Sequence, residues 1–150
     1  MTPLLEVRDL KAWYGATQAL HGVSFSVMPG GVTAVLGANG AGKTTTLRAI
    51  SRMLKTTGEI RFDGTSATRL STEDVAALGV APAPEGRGTF TRMTITENLQ
   101  MGAYIRNDKA EIAADIDNVF GIFPRLKERA LQLAGTMSGG EQQMLAMGIA

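Results

Sequence analysis

The sequence predicts an α/β protein, a mixed sheet built around a glycine-rich loop and followed by a mainly helical stretch. Three adjacent features predict it. Val32-Thr33-Ala34-Val35-Leu36 is short, apolar and rich in β-branched residues, as a buried strand should be. Gly37-Ala38-Asn39-Gly40-Ala41-Gly42-Lys43-Thr44 comes next and reads G-x-x-x-x-G-K-T, a phosphate-binding loop. Leu47, Ile50 and Leu54 then recur at the spacing of one helical face.

Taken in order, Val23-Ser24-Phe25-Ser26-Val27 alternates as a strand with one buried face, and Pro29-Gly30-Gly31 turns into the run before the loop. His21, the single histidine, reads as a partly exposed turn residue. Gly58-Glu59-Ile60-Arg61-Phe62 alternates again and ends at Asp63-Gly64, a hairpin-type turn. Ser71-Thr72-Glu73-Asp74 offers a helix start and Gly79 a stop. A helix is expected from Thr94 through Leu99. Ile112, Ile116, Val119 and Phe120 share another helical face, and Pro124 interrupts that pattern. Residues from roughly 90 to 138 are therefore mainly helical.

The loop has a definite chemistry. Gly37, Gly40 and Gly42 admit backbone angles that side chains forbid, so N–H groups can point inward around a phosphate. The start of the next helix adds unpaired N–H groups and the positive end of its dipole. Lys43 supplies a point charge for the β- and γ-phosphates, and the Thr44 hydroxyl a ligand for Mg²⁺. Thr45 contributes its backbone N–H near the α-phosphate.

Ser138-Gly139-Gly140-Glu141-Gln142 stands near the other end. Ser138 and Glu141 fit a helix capping box. A cap does not explain two adjacent glycines in the first turn, each costing about 1 kcal/mol against alanine. Glycines there leave the exposed N–H groups open to an anion, so cap and second anion site both stand.

A phosphate loop followed about a hundred residues later by Ser-Gly-Gly-Glu-Gln resembles the nucleotide-binding subunit of an ABC transporter, from Leu4 to Ala150. The resemblance implies a P-loop core lobe, about 1–89, a helical lobe, about 90–137, and a signature helix, 138–150. It implies ATP and Mg²⁺ at Gly37, Ala38, Asn39, Gly40, Ala41, Gly42, Lys43, Thr44 and Thr45, with Tyr14 stacked on the adenine ring. Ser138, Gly139, Gly140 and Glu141 would act on the ATP of a second subunit, in a head-to-tail dimer. Ala83-Pro84-Glu85-Gly86-Arg87 falls where most of the family carries a glutamine. Glu85 there, ahead of Phe90-Thr91-Arg92-Met93-Thr94-Ile95-Thr96-Glu97-Asn98-Leu99, is similar to the ATP-binding subunits of branched-chain amino-acid importers. Glu85 and Thr44 are the implied metal ligands, and Lys43 and Glu85 the implied catalytic residues. A solvated turn residue is the alternative for Glu85, and an ordinary half-buried side chain for Tyr14. The implied partners are a second ATPase subunit, membrane permease subunits and, indirectly, a substrate-binding protein. The implied location is the cytoplasmic face of the plasma membrane.

Composition bounds these expectations. In 150 residues, 44% are hydrophobic and 19% charged, ordinary for a globular domain. A net charge of +1 and the lack of basic blocks speak against nucleic acid as partner. An ABC-type ATPase working on nucleic acid or ribosomes is thus the weaker alternative. With no cysteine, disulfides and thiolate metal sites are excluded. Met1–Glu6 shows no signal-peptide pattern, and no run has the apolar length of a membrane span. Ala150 interrupts an apolar helix without a stop signal. The expectation is a C-terminally incomplete domain, with the water-activating glutamate and the switch histidine beyond Ala150, and poor stability from an unpaired strand edge. A truncated, non-catalytic ATP binder is the alternative on that ground.

Overall fold

Strand β1 (Leu5–Tyr14) lies between β2 (Thr17–Val27) and β3 (Lys55–Phe62), and the short β4 (Thr65–Ser66) completes the order β2-β1-β3-β4. Every pairing in this sheet is antiparallel. The computed structural model describes residues 2–83 and 88–150. The chain divides into two compact units, Met1–Pro82 and Ala83–Ala150.

The first unit turns on a bulge. Val7 is buried, and after the bulge Leu10 and Ala12 are buried, so the inward phase slips by one residue. An extra residue in one strand of a pair causes such a slip. Asp9 sits at the slip with φ of 47°, and its N–H donates to Ser24 Oγ at 2.9 Å. Gly58 of β3 faces it with φ of 96°, and a Cβ there would lie 2.3 Å from the Asp9 carbonyl oxygen. Only glycine fits that crossing. His21 belongs to β2, paired with Lys11 and exposed, and not to a turn.

Helix α1 (Lys43–Ile50) lays Thr46, Ala49 and Ile50 inward. Ala49 and Ile50 join a core with Val7, Leu10, Ala12, Leu20, Ile60, Ala67 and Val75. Of the expected face, Ile50 is buried and Leu54 packs against this core, while Leu47 is exposed. Thr46 can take the inward place because its hydroxyl donates to the Gly42 carbonyl at 2.8 Å. Helix α2 (Thr72–Ala77) starts where expected, at Ser71, which the structure shows to form a capping box with Asp74.

The expected strand before the loop is not formed. Val32–Leu36 pairs with no strand among the described residues, and Val32 and Leu36 are exposed. β-branched residues raise strand propensity, but a strand exists only when a neighbour takes its N–H and C=O groups.

The second unit is helical: α3 (Ile95–Gly102), α4 (Lys109–Ile122), α5 (Pro124–Glu128) and α6 (Gly139–Ile149). Ile95, Leu99, Phe120, Leu126, Ala134, Met137 and Leu145 form its core. A Thr94–Glu97 capping box opens α3. Pro124 opens α5 at its first position, where the missing N–H costs nothing. Fully buried Asn98 replaces a backbone partner for the loop before α3. It accepts from the Phe90 N–H at 2.7 Å and donates to the carbonyls of Phe90 and Thr94 at 3.0 and 2.9 Å. No helix among the described residues is long and apolar enough to cross a membrane.

Gly58→Ala must push the β1 bulge aside and is strained by its φ. Urea unfolding is expected to show a loss of about 2 kcal/mol or more. An unchanged midpoint would show that the bulge yields freely.

Candidate functional site

The glycine loop is closed by its own lysine. Lys43 Nζ donates to the carbonyls of Gly37 and Ala38 at 2.6 and 2.9 Å. The Ala41 N–H donates to the Ala38 carbonyl at 3.1 Å, tightening the curl. Gly42 enters α1 with φ of 97°, and a Cβ on it would lie 2.9 Å from Leu20 Cδ2. Its backbone angle demands glycine, while the leucine methyl could move aside.

The start of α1 is electrostatically unlike those of α2, α3 and α6. Each of those three has a capping box with an acidic residue in the first turn. Helix α1 has no side-chain cap and no acidic residue there. Its N–H groups and dipole are left for an external anion. Thr44 is exposed in that first turn, Thr45 is half-buried, and Ala38, Asn39, Gly40 and Ala41 are exposed beside them. These donors, one ammonium and one hydroxyl suit a magnesium–phosphate group.

Tyr14 ends β1 with 41% exposure. Its hydroxyl lies 3.5 Å from Thr45 Oγ1 and accepts from Arg48 Nη1 at 3.4 Å. The hydrogen bond with Thr45, and next that from Arg48, hold its phenol below the ordinary pKa. The fold thus brings Tyr14 to the loop's own helix. Arg48 escapes any reading by motif, because only the packing of α1 beside β1 brings it to Tyr14. Glu85 lies outside the described residues.

The signature segment forms within the second unit. Ser138 caps α6: its Oγ accepts from the Glu141 N–H at 3.3 Å and donates to Glu141 Oε2 at 3.0 Å. Glu141 Oε2 also accepts from the Ser138 N–H at 3.0 Å and from Arg129 at 3.2 Å. The Ser138 N–H, the Ser138 hydroxyl and then the Arg129 charge hold the Glu141 carboxyl below its usual range. Arg129 was not legible as part of this cap, since it is brought there by tertiary packing. Gln142 Nε2 donates to the Met137 carbonyl at 3.2 Å, fastening the approach to the helix.

Gly139 and Gly140 differ from Gly42. Neither has a positive φ, and a Cβ on either meets nothing within 4 Å. The fold of this chain therefore gives no reason for two glycines there. Open backbone N–H groups beside a serine hydroxyl suit contact with another molecule.

An uncapped helix start behind a lysine-closed glycine loop defines the class of phosphate-loop nucleotide-binding proteins. Residues 20–150 match the profile of the ABC transporter family, and the chain belongs to that family. Membership implies nucleotide binding. The chain is 44% identical over 146 residues to the "High-affinity branched-chain amino acid transport ATP-binding protein BraG" of Pseudomonas aeruginosa, covering 97% of this chain and 62% of that protein. It is 36% identical to the "Probable branched-chain amino acid transport ATP-binding protein LivF" of Archaeoglobus fulgidus, covering 98% of this chain and 62% of that one. A solved "ATP binding subunit of ABC transporter" superposes with a TM-score of 0.82 at 29% identity, over 98% of this chain and 61% of the other. The chain thus spans about three fifths of the length of these relatives.

Two outcomes follow for the signature segment. The Glu141 carboxyl titrates below its ordinary 4.5 in the folded chain. Its stabilising effect is complete above 4.5 and is lost as pH falls from there through the folded value. The stability gap between wild type and Glu141→Gln should therefore narrow from pH 6 to pH 3 in urea unfolding; a constant gap would refute the charged cap. Gly140→Ala meets no obstacle and removes a flexible residue from a helix. It should leave stability equal or raise it by about 0.5 kcal/mol in the same assay, and a clear loss would mean the glycine serves the fold.

Proposed function

We propose that the chain is the ATP-binding part of a subunit that hydrolyses ATP to energise an importer for branched-chain amino acids. The lysine-closed loop at the uncapped start of α1 carries this reading. Lys43 would exchange two neutral carbonyls for β- and γ-phosphate oxygens, which make stronger, charge-assisted partners. Gly37 through Gly42 and Thr45 would offer backbone N–H groups, and Tyr14 a flat face for the adenine. Thr44 would hold Mg²⁺ by its hydroxyl, with Glu85 as a second oxygen ligand. The metal supplies neutralisation of phosphate charge.

Ser138, Gly139 and Gly140 would meet the γ-phosphate bound by a second ATPase subunit, with Glu141 holding the cap in shape. The open space at both glycines supports an external partner. Permease subunits, reached indirectly by a binding protein, would complete the importer at the cytoplasmic face of the plasma membrane. The transported class rests on the names of the two relatives.

Lys43→Ala tests the loop. Titration calorimetry should show MgATP affinity falling by at least about 100-fold, the size of a lost charge-assisted contact. Circular dichroism should remain that of the wild type. Retained affinity in a folded variant contradicts the assignment. For the signature, Gly140→Ala should keep MgATP binding by the isolated chain but prevent ATP-driven pairing, read by sedimentation velocity. Pairing equal to wild type would remove the proposed role in trans.

A further inference from the structure

We propose that Arg48 is a positioning residue that sets the Tyr14 ring as the platform for a nucleotide base, through a hydroxyl chain from Arg48 to Tyr14 to Thr45. The inference deepens the proposed function and rests on its reading of the loop and of Tyr14. A stacking platform must hold its ring plane at both ends. One end of Tyr14 is held by β1, where the residue pairs with Thr17 of β2. The other end projects from the strand with 41% of the residue exposed, and only the hydroxyl can anchor it.

Arg48 and Thr45 supply that anchor from one face of α1, three residues apart. A guanidinium only donates, so the phenol oxygen accepts from Arg48 at 3.4 Å, and it shares a further hydrogen bond with Thr45 Oγ1, 3.5 Å away, in which either hydroxyl can donate. Both contacts are long and exposed, so each alone is weak; together they fix a hydroxyl that one would leave free to swing. The lowered phenol pKa follows from the same two partners. Thr45 also lies one residue past Thr44, in the turn that faces the phosphates. The relay therefore ties the base platform to the phosphate cradle through a single turn of helix. A planar fork holds a defined direction better than a flexible ammonium, which accounts for arginine at position 48.

The test separates base from phosphates by comparing MgATP with magnesium tripolyphosphate, which has no base. Arg48→Ala and Tyr14→Phe should each weaken MgATP by about threefold to tenfold, the size of a lost hydrogen bond. Tripolyphosphate affinity should stay within about twofold, which also shows that the variants fold and keep their loop. The double variant should bind MgATP no more weakly than the worse single one, because both changes cut one chain. Arg48→Lys should recover part of the loss. Equal weakening of both ligands by Arg48→Ala would make Arg48 a phosphate contact and overturn the inference. Unchanged MgATP affinity would overturn it as well. If the wild type binds neither ligand, the phosphate-loop reading falls and takes the inference with it.

Discussion

Lys43 holds the loop from which the site is built. Its ammonium has three donors and no acceptor, and two of those donors reach the Gly37 and Ala38 carbonyls. The cation that shapes the curl is the group the proposed triphosphate would meet. Preorganisation and binding thus fall on one side chain. The rest of the site is arranged about it: Gly42 gives the turn that starts α1, and Thr46 returns a hydroxyl to the Gly42 carbonyl. The helix start is left without a competing carboxylate.

The glycines divide by what they meet. Gly58 and Gly42 are required by this chain: a methyl group on Gly58 would collide with the Asp9 backbone, and both residues hold a φ that L residues avoid. Gly139 and Gly140 are not required by it, since open space surrounds both. Gly139 and Gly140 lower helix propensity without relieving any clash within this chain. Capping by Ser138 and Glu141, reinforced by Arg129, keeps that open turn rigid. The cap that the sequence offers is formed, with an open first turn, and the second anion site remains a proposal.

Local signals were legible where they were self-contained. The helix starts expected at Ser71, Thr94 and Ser138 all form, each closed by a capping box within four residues, of which only that at Ser138 was itself read from the sequence. The alternation in Val23–Val27 and Gly58–Phe62 survives as β2 and β3. Strand β1 was hidden because the Asp9 bulge breaks its alternation between Val7 and Leu10. Val32–Leu36 misled in the opposite way: its composition suits a strand, but pairing is supplied by neighbours and not by composition. Leu47 misled because the inward place went to Thr46, whose hydroxyl is satisfied within the helix. In the site, the phosphate loop and the signature could be found by spacing. Arg48 and Arg129 could not, since each is paired across distant sequence by packing.

The proposed role of the lysine-closed loop is that of a nucleotide cradle and not of a plain turn. Equilibrium dialysis of the wild-type chain against labelled ATP, with and without Mg²⁺, tests it most directly. The expected result is saturable retention of one nucleotide per chain, favoured by Mg²⁺ and displaced by unlabelled tripolyphosphate. No retained nucleotide at millimolar ATP, from protein shown to be folded, would contradict it.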